Sequence, residues 1–433
     1  MRHGPAPRRF LRARLRLASA MWLPVLAGNC AAIVLALALP ALDERVGDAG
    51  IRIAPGAAEQ IFGALAAGMI TFTGIIFSAV FVAAQIQTSS YSPRLAARLR
   101  RDPVVIAGLA LPTATATYAL FAIAAVAARS DQAGHAFDPT LTVLFGLVLL
   151  VVTLGAFVAL VQRAFELTQI GGIFRGLMRK AGAVIDDVHP LGAADAGQAQ
   201  GLASDPAATV VVHEGPAAVV AAIDREALLR LARESGGFVE VLPMVGQFVA
   251  PGTPILRVHG ARSGPVGGGR VLVLARQRTI DQDPAFALRM LVDIAIRALS
   301  PAVNDPTTAV QALDRLEGLL VELHRRAPGP LVVVDRDGLP AGRVPAPTWT
   351  DYLELALTEI RHYGGGSVQV CRRLHALYDH LLAELDEPAR ARVEVERRLL
   401  ARTLAVAFPD PEDQAVAARS DRLGLGAAAR PGA

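Results

Sequence analysis

Residues 139–162 read PTLTVLFGLVLLVVTLGAFVALVQ and contain no charged side chain. A helix needs about 20 mainly apolar residues to cross the roughly 30 Å hydrocarbon core of a bilayer. Three further uncharged windows are long enough to do the same: residues 17–42, 60–93 and 103–128. The sequence therefore predicts four transmembrane helices.

The composition of the whole chain agrees with this prediction. Of the 433 residues, 53% are hydrophobic and only 19% are charged, and the mean hydropathy is +0.41. These values exclude a protein that is water-soluble throughout. The two cysteines, Cys30 and Cys371, lie far apart in the sequence and indicate no disulfide framework.

The basic residues indicate how the spans are oriented. Up to residue 162 there are 13 Arg against 7 Asp and Glu, whereas from residue 163 onward 30 Lys and Arg face 32 acidic residues. Ten of the 13 Arg precede the first span or lie between the second and third. The positive-inside rule then predicts an inner-membrane protein whose two termini both lie in the cytoplasm. A cleaved signal peptide is the alternative for the first window, but its apolar stretch is longer than a signal core. The basic excess is thus a topology signal, and no nucleic-acid partner is predicted.

The predicted fold class is a membrane all-α region of four transmembrane helices, followed by a cytoplasmic α+β domain. The α+β domain combines a small β barrel-sandwich-like module with a helical part. The predicted boundaries are a basic cytoplasmic N-terminus 1–16, a transmembrane domain 17–162, a helical extension and linker 163–207, a β-rich module 208–275, a mainly helical domain 276–400 and a partly disordered tail 401–433.

The second span carries small and polar residues on one face. Thr71, Ser78 and Gln85 recur every seven residues, and Gly74 falls on the same stripe. Small and hydroxyl-bearing residues of this kind let membrane helices approach closely. The stripe therefore has two interpretations, a helix-packing surface or the lining of a pore.

A second candidate site lies in the cytoplasmic half, where Asp283-Pro284 and Asp305-Pro306 each predict a helix start. Between them, Arg289, Asp293 and Arg297 recur every four residues on an otherwise apolar helix. This ladder is interpreted either as an ion-pair network at a packing interface or as part of an anion or ligand site. The full candidate set is Asp281, Arg289, Asp293, Arg297, Ser300, Asn304, Asp305 and Thr307.

Motifs for enzymatic chemistry are missing from the sequence. It contains no HExxH, CxxC or GxSxG pattern, and neither glycine triplet is followed by Lys and Ser or Thr. Residues 236–260 are similar in texture to the barrel-sandwich modules that carry biotin or lipoate, yet they lack the lysine that such carriage needs. The sequence thus predicts no enzyme, no cofactor and no metal site.

Two long segments resemble the signatures of a bacterial family of predicted inner-membrane proteins classed as a domain of unknown function. They are FTGIIFSAVFVAAQIQTSSYSPRL at residues 72–95 and RTIDQDPAFALRMLVDIAIRALSPAVNDPTTAV at residues 278–310. The resemblance implies four spans plus a cytoplasmic domain and no established activity. The shared positions are Ser78, Gln85, Ser92, Pro93, Arg94, Asp281, Asp283, Pro284, Arg289, Asp293, Arg297, Ser300, Pro301, Asn304, Asp305, Pro306 and Thr307.

The sequence is compatible with two functions. The first is an oligomeric channel or permeation protein in which Thr71, Ser78 and Gln85 line an uncharged pathway for a small ion or ligand. The second is a membrane-anchored sensor or scaffold whose cytoplasmic domain binds a ligand or partner near Arg289, Asp293 and Asp305. The expected partners are the lipid bilayer and further copies of the chain.

Overall fold

A computed structural model describes residues 22–46, 53–90, 102–133, 137–168, 170–190, 208–260 and 271–425. The chain divides into two compact units, residues 1–172 and 173–433. We call them the membrane unit and the C-terminal unit and describe each by itself. The predicted signature positions Ser92, Pro93 and Arg94, the linker 191–207 and the basic N-terminus 1–16 lie outside the described residues.

The described residues of the membrane unit form four long helices, as the apolar windows predict. Their bounds are α1 Trp22–Val46, α2 Pro55–Ser90, α3 Pro103–Ala133 and α4 Thr140–Thr168. Each contains a stretch long and apolar enough to cross a bilayer. The predicted four-span architecture is therefore confirmed.

Helix α3 lies at the centre of the membrane unit and contacts α1, α2 and α4. Polar side chains join it to its neighbours. Asn29 on α1 donates to Thr113 Oγ1 at 3.2 Å and accepts from Thr117 Oγ1 at 2.6 Å. Thr115 is hydrogen-bonded to Thr153 on α4 at 2.9 Å. Between membrane helices the hydrophobic effect gives no driving force for association, because the lipid chains are equally apolar. Hydrogen bonds of this kind stabilise the association instead, so these hydroxyl groups hold the helices of the unit together.

Two aspartates fix the ends of the membrane helices. Asp43 accepts hydrogen bonds from the backbone N–H groups of Leu141 and Thr142, at 2.7 and 3.2 Å, and so caps α4 from a different helix. Asp102 caps α3 and pairs with Arg163 at 2.8 Å. Both aspartates are buried. Their charge is therefore matched by helix amides or a guanidinium, as buried carboxylates require.

The C-terminal unit contains two β-sheets. The strands are β1 Thr209–Val212, β2 Ala218–Ile223, β3 Phe238–Val241, β4 Phe248–Val249, β5 Pro254–His259, β6 Leu272–Ala275, β7 Leu331–Val334 and β8 Pro340–Val344. In the described residues they form a five-stranded sheet of order β1-β5-β3-β8-β7 and a three-stranded sheet of order β4-β2-β6. Helix α6, Arg225–Ser235, packs on the larger sheet. The predicted α+β architecture is thus confirmed, and its described strands form two open sheets.

The larger sheet joins strands that are distant in sequence. Strand β8 pairs with β3 in parallel, at Val239 with Gly342. Strands β7 and β8 form a hairpin around Asp337 and Gly338, and they lie within the segment 276–400 predicted to be mainly helical. Gly342 fits between β3 and α6 because a Cβ there would come within 2.6 Å of Val239 O and 2.5 Å of Leu228 Cδ2. The β-rich module therefore extends beyond residues 208–275.

Further helices occur in the described part of the C-terminal unit. They are α5 Ile170–Val188, α7 Pro284–Ala298, α8 Pro306–Arg325, α9 Trp349–Gly364, α10 Val368–Glu384, α11 Ala389–Ala407 and α12 Pro411–Ala417. Asp283 and Asp305 cap α7 and α8 as expected, each followed by Pro at the first helical position. Leu404 and Ala417 are buried, so helical structure continues past residue 400 into the predicted tail.

The start of the second signature joins the smaller sheet to α7. Arg278 donates two hydrogen bonds to Asp283, at 2.5 and 3.1 Å, and Gln282 accepts from the backbone N–H of Ile223 at 2.9 Å. Gly246, in the turn before β4, lies directly against this ion pair. A Cβ at Gly246 would come within 2.4 Å of Asp283 Oδ2 and 2.5 Å of Arg278 Nε. This junction therefore requires a residue without a side chain.

A matched pair of glycines tests the junction. Gly246 and Gly252 both have positive φ, 88° and 82°, but a Cβ at Gly252 would meet nothing within 4 Å. Alanine at either position incurs the left-handed strain of about 1–2 kcal/mol. We expect Gly246→Ala to lower the free energy of unfolding by about 2 kcal/mol more than Gly252→Ala, because it also displaces the ion pair.

The fluorescence of Trp349 can report this difference in the full-length protein. Trp349 is buried in the C-terminal unit and donates to Leu320 O at 2.9 Å. The only other tryptophan is Trp22, which is exposed on α1. A Trp22→Phe background therefore makes urea unfolding of the C-terminal unit observable. Equal losses for the two alanine variants would contradict the role assigned to Gly246.

Candidate functional site

The outer face of α2 is the candidate site that the structure presents most clearly. The face of α2 that packs into the membrane unit consists of buried side chains, among them Phe62, Leu65, Met69 and Ile76. The predicted stripe lies on the other side of the helix: Thr71, Gly74, Ser78 and Gln85 are all exposed. The four predicted residues are therefore brought together, and they face away from their own unit.

Apolar side chains flank this stripe on both sides. At 100° per residue, Phe77 and Phe81 lie on one side of it and Ile75 and Val82 on the other. All four are exposed, Phe77 by 64%. Apolar flanks suit contact with lipid chains, whereas the stripe between them offers hydroxyl, amide and glycine surface. We call residues Thr71, Gly74, Ser78 and Gln85 the α2 outer stripe.

The small residues of the α2 outer stripe are not required by packing within the unit. A Cβ at Gly74 would meet nothing within 4 Å. Thr71 Oγ1 donates to the carbonyl of Ala67, one turn earlier, at 3.1 Å, as Thr on membrane helices commonly does. In the C-terminal unit, by contrast, a Cβ would clash with neighbouring atoms at Gly237, Gly246 and Gly342. The outer stripe is thus available for a second helix or for water.

The charged ladder of α7 forms ion pairs with other side chains of the C-terminal unit. Arg289 donates to Asp293 at 2.7 Å and to both carboxylate oxygens of Glu359 on α9. The hydrogen bond to Glu359 is the main reason that the pKa of Arg289 is raised above its ordinary value. Asp293 and Arg297 are half-buried. Glu359 is not among the predicted residues, because it lies 70 residues from Arg289 and no local pattern links the two.

The remaining predicted residues surround the turn between α7 and α8, with one exception. Asp305 accepts from the backbone N–H and the hydroxyl of Thr308, at 3.0 and 2.6 Å, so its carboxylate serves as a helix cap. Ser300 donates to the carbonyl of Arg297. Asn304 is exposed with φ 47°, and Thr307 is exposed.

The exception is Asp281, which is exposed and precedes α7. The 15 residues of α7 separate it from the turn by about 22 Å, at 1.5 Å per residue. The structure therefore does not gather the predicted cytoplasmic residues into one site. Across the described residues, no three His, Cys, Asp or Glu side chains are grouped so that they could hold a metal ion.

Four apolar helices followed by a separate α+β unit define a polytopic membrane protein with a large appended domain. The profile of the family described as "Predicted membrane protein (DUF2254)" matches residues 18–380. The chain belongs to this family. This confirms the resemblance carried by the two signature segments.

Mycobacterial proteins are similar to this chain over most of its length. The uncharacterized protein Rv1290c of Mycobacterium tuberculosis (strain H37Rv) is 29% identical over 385 residues, which cover 87% of this chain and 72% of that protein. The uncharacterized protein Mb1321c of Mycobacterium bovis matches with the same identity and coverage. No solved structure matches the chain.

Proposed function

We propose that this protein is a homo-oligomeric inner-membrane protein in which the α2 outer stripes of neighbouring copies surround a permeation pathway. Both termini and the C-terminal unit lie in the cytoplasm, where the C-terminal unit assembles or gates the pathway. The proposal assigns the chain no catalytic step and no cofactor. The observation that carries it is the exposure of a polar stripe, without charged residues, on the outside of a four-helix unit.

Hydrocarbon offers no hydrogen-bond partner to exposed hydroxyl and amide groups. Small residues on an outer surface leave grooves that another helix can fill. Association of copies around an axis would bring the stripes together and leave the apolar flanks in contact with lipid. An uncharged polar lining suits a small ion or solute, since it does not hold a permeating ion tightly.

Ion flux through the full-length protein in liposomes tests this function. We expect wild-type protein to dissipate potassium, sodium or chloride gradients, and Ser78→Leu to abolish the flux by filling the stripe with apolar volume. Val151→Leu is the matched control, because Val151 is exposed on α4 and far from the stripe in sequence. Liposomes that remain tight in every gradient would contradict a constitutively open pathway. Equal flux in both variants would contradict the assignment of the α2 outer stripe as its lining.

Cysteine cross-linking separates assembly from permeation. In a Cys30→Ala background the remaining cysteine, Cys371, is buried, and burial raises its pKa to about 12. We expect Ser78→Cys to form cross-linked dimers in membranes and Val151→Cys not to do so. Cross-linking without flux would support the other function, a membrane-anchored sensor or scaffold whose spans only anchor and associate.

A further inference from the structure

A cavity of about 400 Å³ lies in the C-terminal unit, where the end of α9, the following glycine turn and the last turns of α11 meet. Its polar lining includes Arg361, His362, Arg402 and Thr403, and its apolar wall includes Leu399 and Val406. The cavity is wide open to solvent, so a ligand there would stay partly exposed. None of these residues belongs to the α2 outer stripe or to the charged ladder of α7.

The guanidinium of Arg361 is buried beside this cavity. Arg361 is only 6% exposed, its Nε lies 3.5 Å from Glu396 Oε2, and its Nη1 donates to Thr403 Oγ1 at 3.3 Å. Thr403 in turn donates its own proton to Leu399 O at 3.0 Å. The hydroxyl therefore holds Arg361 in place and has no proton left for a ligand.

The buried carboxylate of Glu396 is shared by two guanidinium groups. Arg361 Nε lies 3.5 Å from Glu396 Oε2, and Arg392 Nη2 lies 3.1 Å from Glu396 Oε1. Glu354 pairs with Arg392 from a half-exposed position. Within the described part of the chain, Arg361 therefore has no carboxylate to itself.

The rim of the cavity adds more positive charge. Arg402 is exposed and makes no ion pair within the described part of the chain, and His362 is exposed beside it. Val406 is 84% exposed, so its apolar side chain is uncovered at the opening. The opening thus combines the guanidinium of Arg402 with an uncovered apolar surface.

Glycine keeps the cavity open. A Cβ at Gly366 would meet nothing within 4 Å, and its φ is not in the left-handed region. A Cβ at Gly365 would come within 2.4 Å of Thr403 Cγ2, so Gly365 lets α9 and α11 approach each other. A side chain at position 366 would therefore project into free space without straining the backbone.

We propose that this cavity binds the phosphate group of an organic phosphate, with the guanidinium groups of Arg361 and Arg402 on the phosphate and the organic part against Leu399 and Val406. A phosphate ester near neutral pH carries more than one negative charge and accepts several hydrogen bonds, which matches two guanidinium forks. The ligand is either a soluble phosphate monoester or a lipid phosphate. This site does not depend on whether the α2 outer stripe lines a pathway.

Calorimetric titration of the full-length protein in neutral detergent with phenyl phosphate tests the site. We expect saturable binding to wild type, weakened about tenfold or more by Arg402→Glu, which replaces attraction with repulsion. Gly366→Leu should weaken binding similarly by occupying the cavity. Arg390→Glu is the matched control, because Arg390 is exposed on the same helix, does not line the cavity and lies twelve residues, about 18 Å, before Arg402; it should leave affinity within about twofold.

Two results would overturn the proposal. One is the absence of heat from phenyl phosphate with wild-type protein. The other is an equal loss in Arg390→Glu and Arg402→Glu, which would show non-specific attraction to a basic helix. Repeating the titration in nanodiscs distinguishes the two sources of phosphate. A lipid phosphate in the cavity would compete with phenyl phosphate in phosphatidylglycerol discs and not in detergent, whereas a soluble ligand would give equal affinities in both.

Discussion

Arg373→Ala is expected to lower the free energy of unfolding of the C-terminal unit by about 3–5 kcal/mol. Arg373 is buried on α10 and pairs with two carboxylates of α8, Asp314 at 2.8 Å and Glu317 at 2.5 Å. Glu317 is itself only 9% exposed. Removing the guanidinium leaves a buried carboxylate whose remaining neighbour is His380 Nδ1, 2.5 Å away.

Urea unfolding followed through Trp349 in the Trp22→Phe background measures this loss. Arg398→Ala, an exposed arginine on α11, is the control and should change stability by no more than about 0.5 kcal/mol. The double variant Arg373→Met, Glu317→Leu replaces the pair with apolar side chains, and we expect it to recover most of the loss. A double variant as unstable as Arg373→Ala would show that packing of the arginine stem, and not the unpaired charge, causes the effect.

The second large effect is a loss of stability in acid that depends on His189. His189 is 2% exposed, its Nε2 lies 3.1 Å from Tyr352 Oη, and its carbonyl accepts from Arg326 at 3.0 Å. Burial, with a smaller contribution from Arg326, lowers the pKa of His189 from 6.5 to about 4. The folded state thus keeps the ring neutral at a pH where the unfolded chain is protonated.

The sign of the effect follows from linkage. Between pH 6.5 and pH 4 the unfolded state binds the additional proton, so stability falls as the pH is lowered. The shift corresponds to a loss of about 3 kcal/mol over this window, at about 1.4 kcal/mol per pKa unit. We expect unfolding free energies of wild type to decline accordingly, and those of His189→Gln to decline less.

His375 provides an internal check on this experiment. Burial also lowers the pKa of His375, and that residue is present in both proteins. The difference between wild type and His189→Gln therefore isolates the contribution of His189. A difference that stays constant across the window would mean that His189 is not held neutral in the folded protein.

Much of the local structure could be predicted from the sequence. The four spans follow from uncharged windows, the starts of α7 and α8 from Asp-Pro pairs, and the β7–β8 hairpin from Asp337 and Gly338. These features depend on residues close together in the chain, where hydropathy, capping and turn chemistry act directly. The grouping of Thr71, Gly74, Ser78 and Gln85 on one face follows equally from helical periodicity.

The partners of these elements could not be predicted in the same way. Arg289 and Asp293 are one turn apart, but Glu359, which binds the same guanidinium, lies on another helix. The parallel pairing of β3 with β8 and the close fit of Gly246 on the Arg278–Asp283 pair likewise join distant segments. Such contacts depend on how several elements pack at once, so no local pattern encodes them.

The amino-acid sequence by itself determined that this is a four-span membrane protein with an appended α+β domain, because crossing a bilayer imposes a length and an apolarity that each span must meet alone. Only the tertiary structure decided that the α2 outer stripe faces away from its own unit and that Arg361 lies buried beside an open cavity. Periodicity groups residues on a face, whereas packing against the other helices decides whether that face is covered.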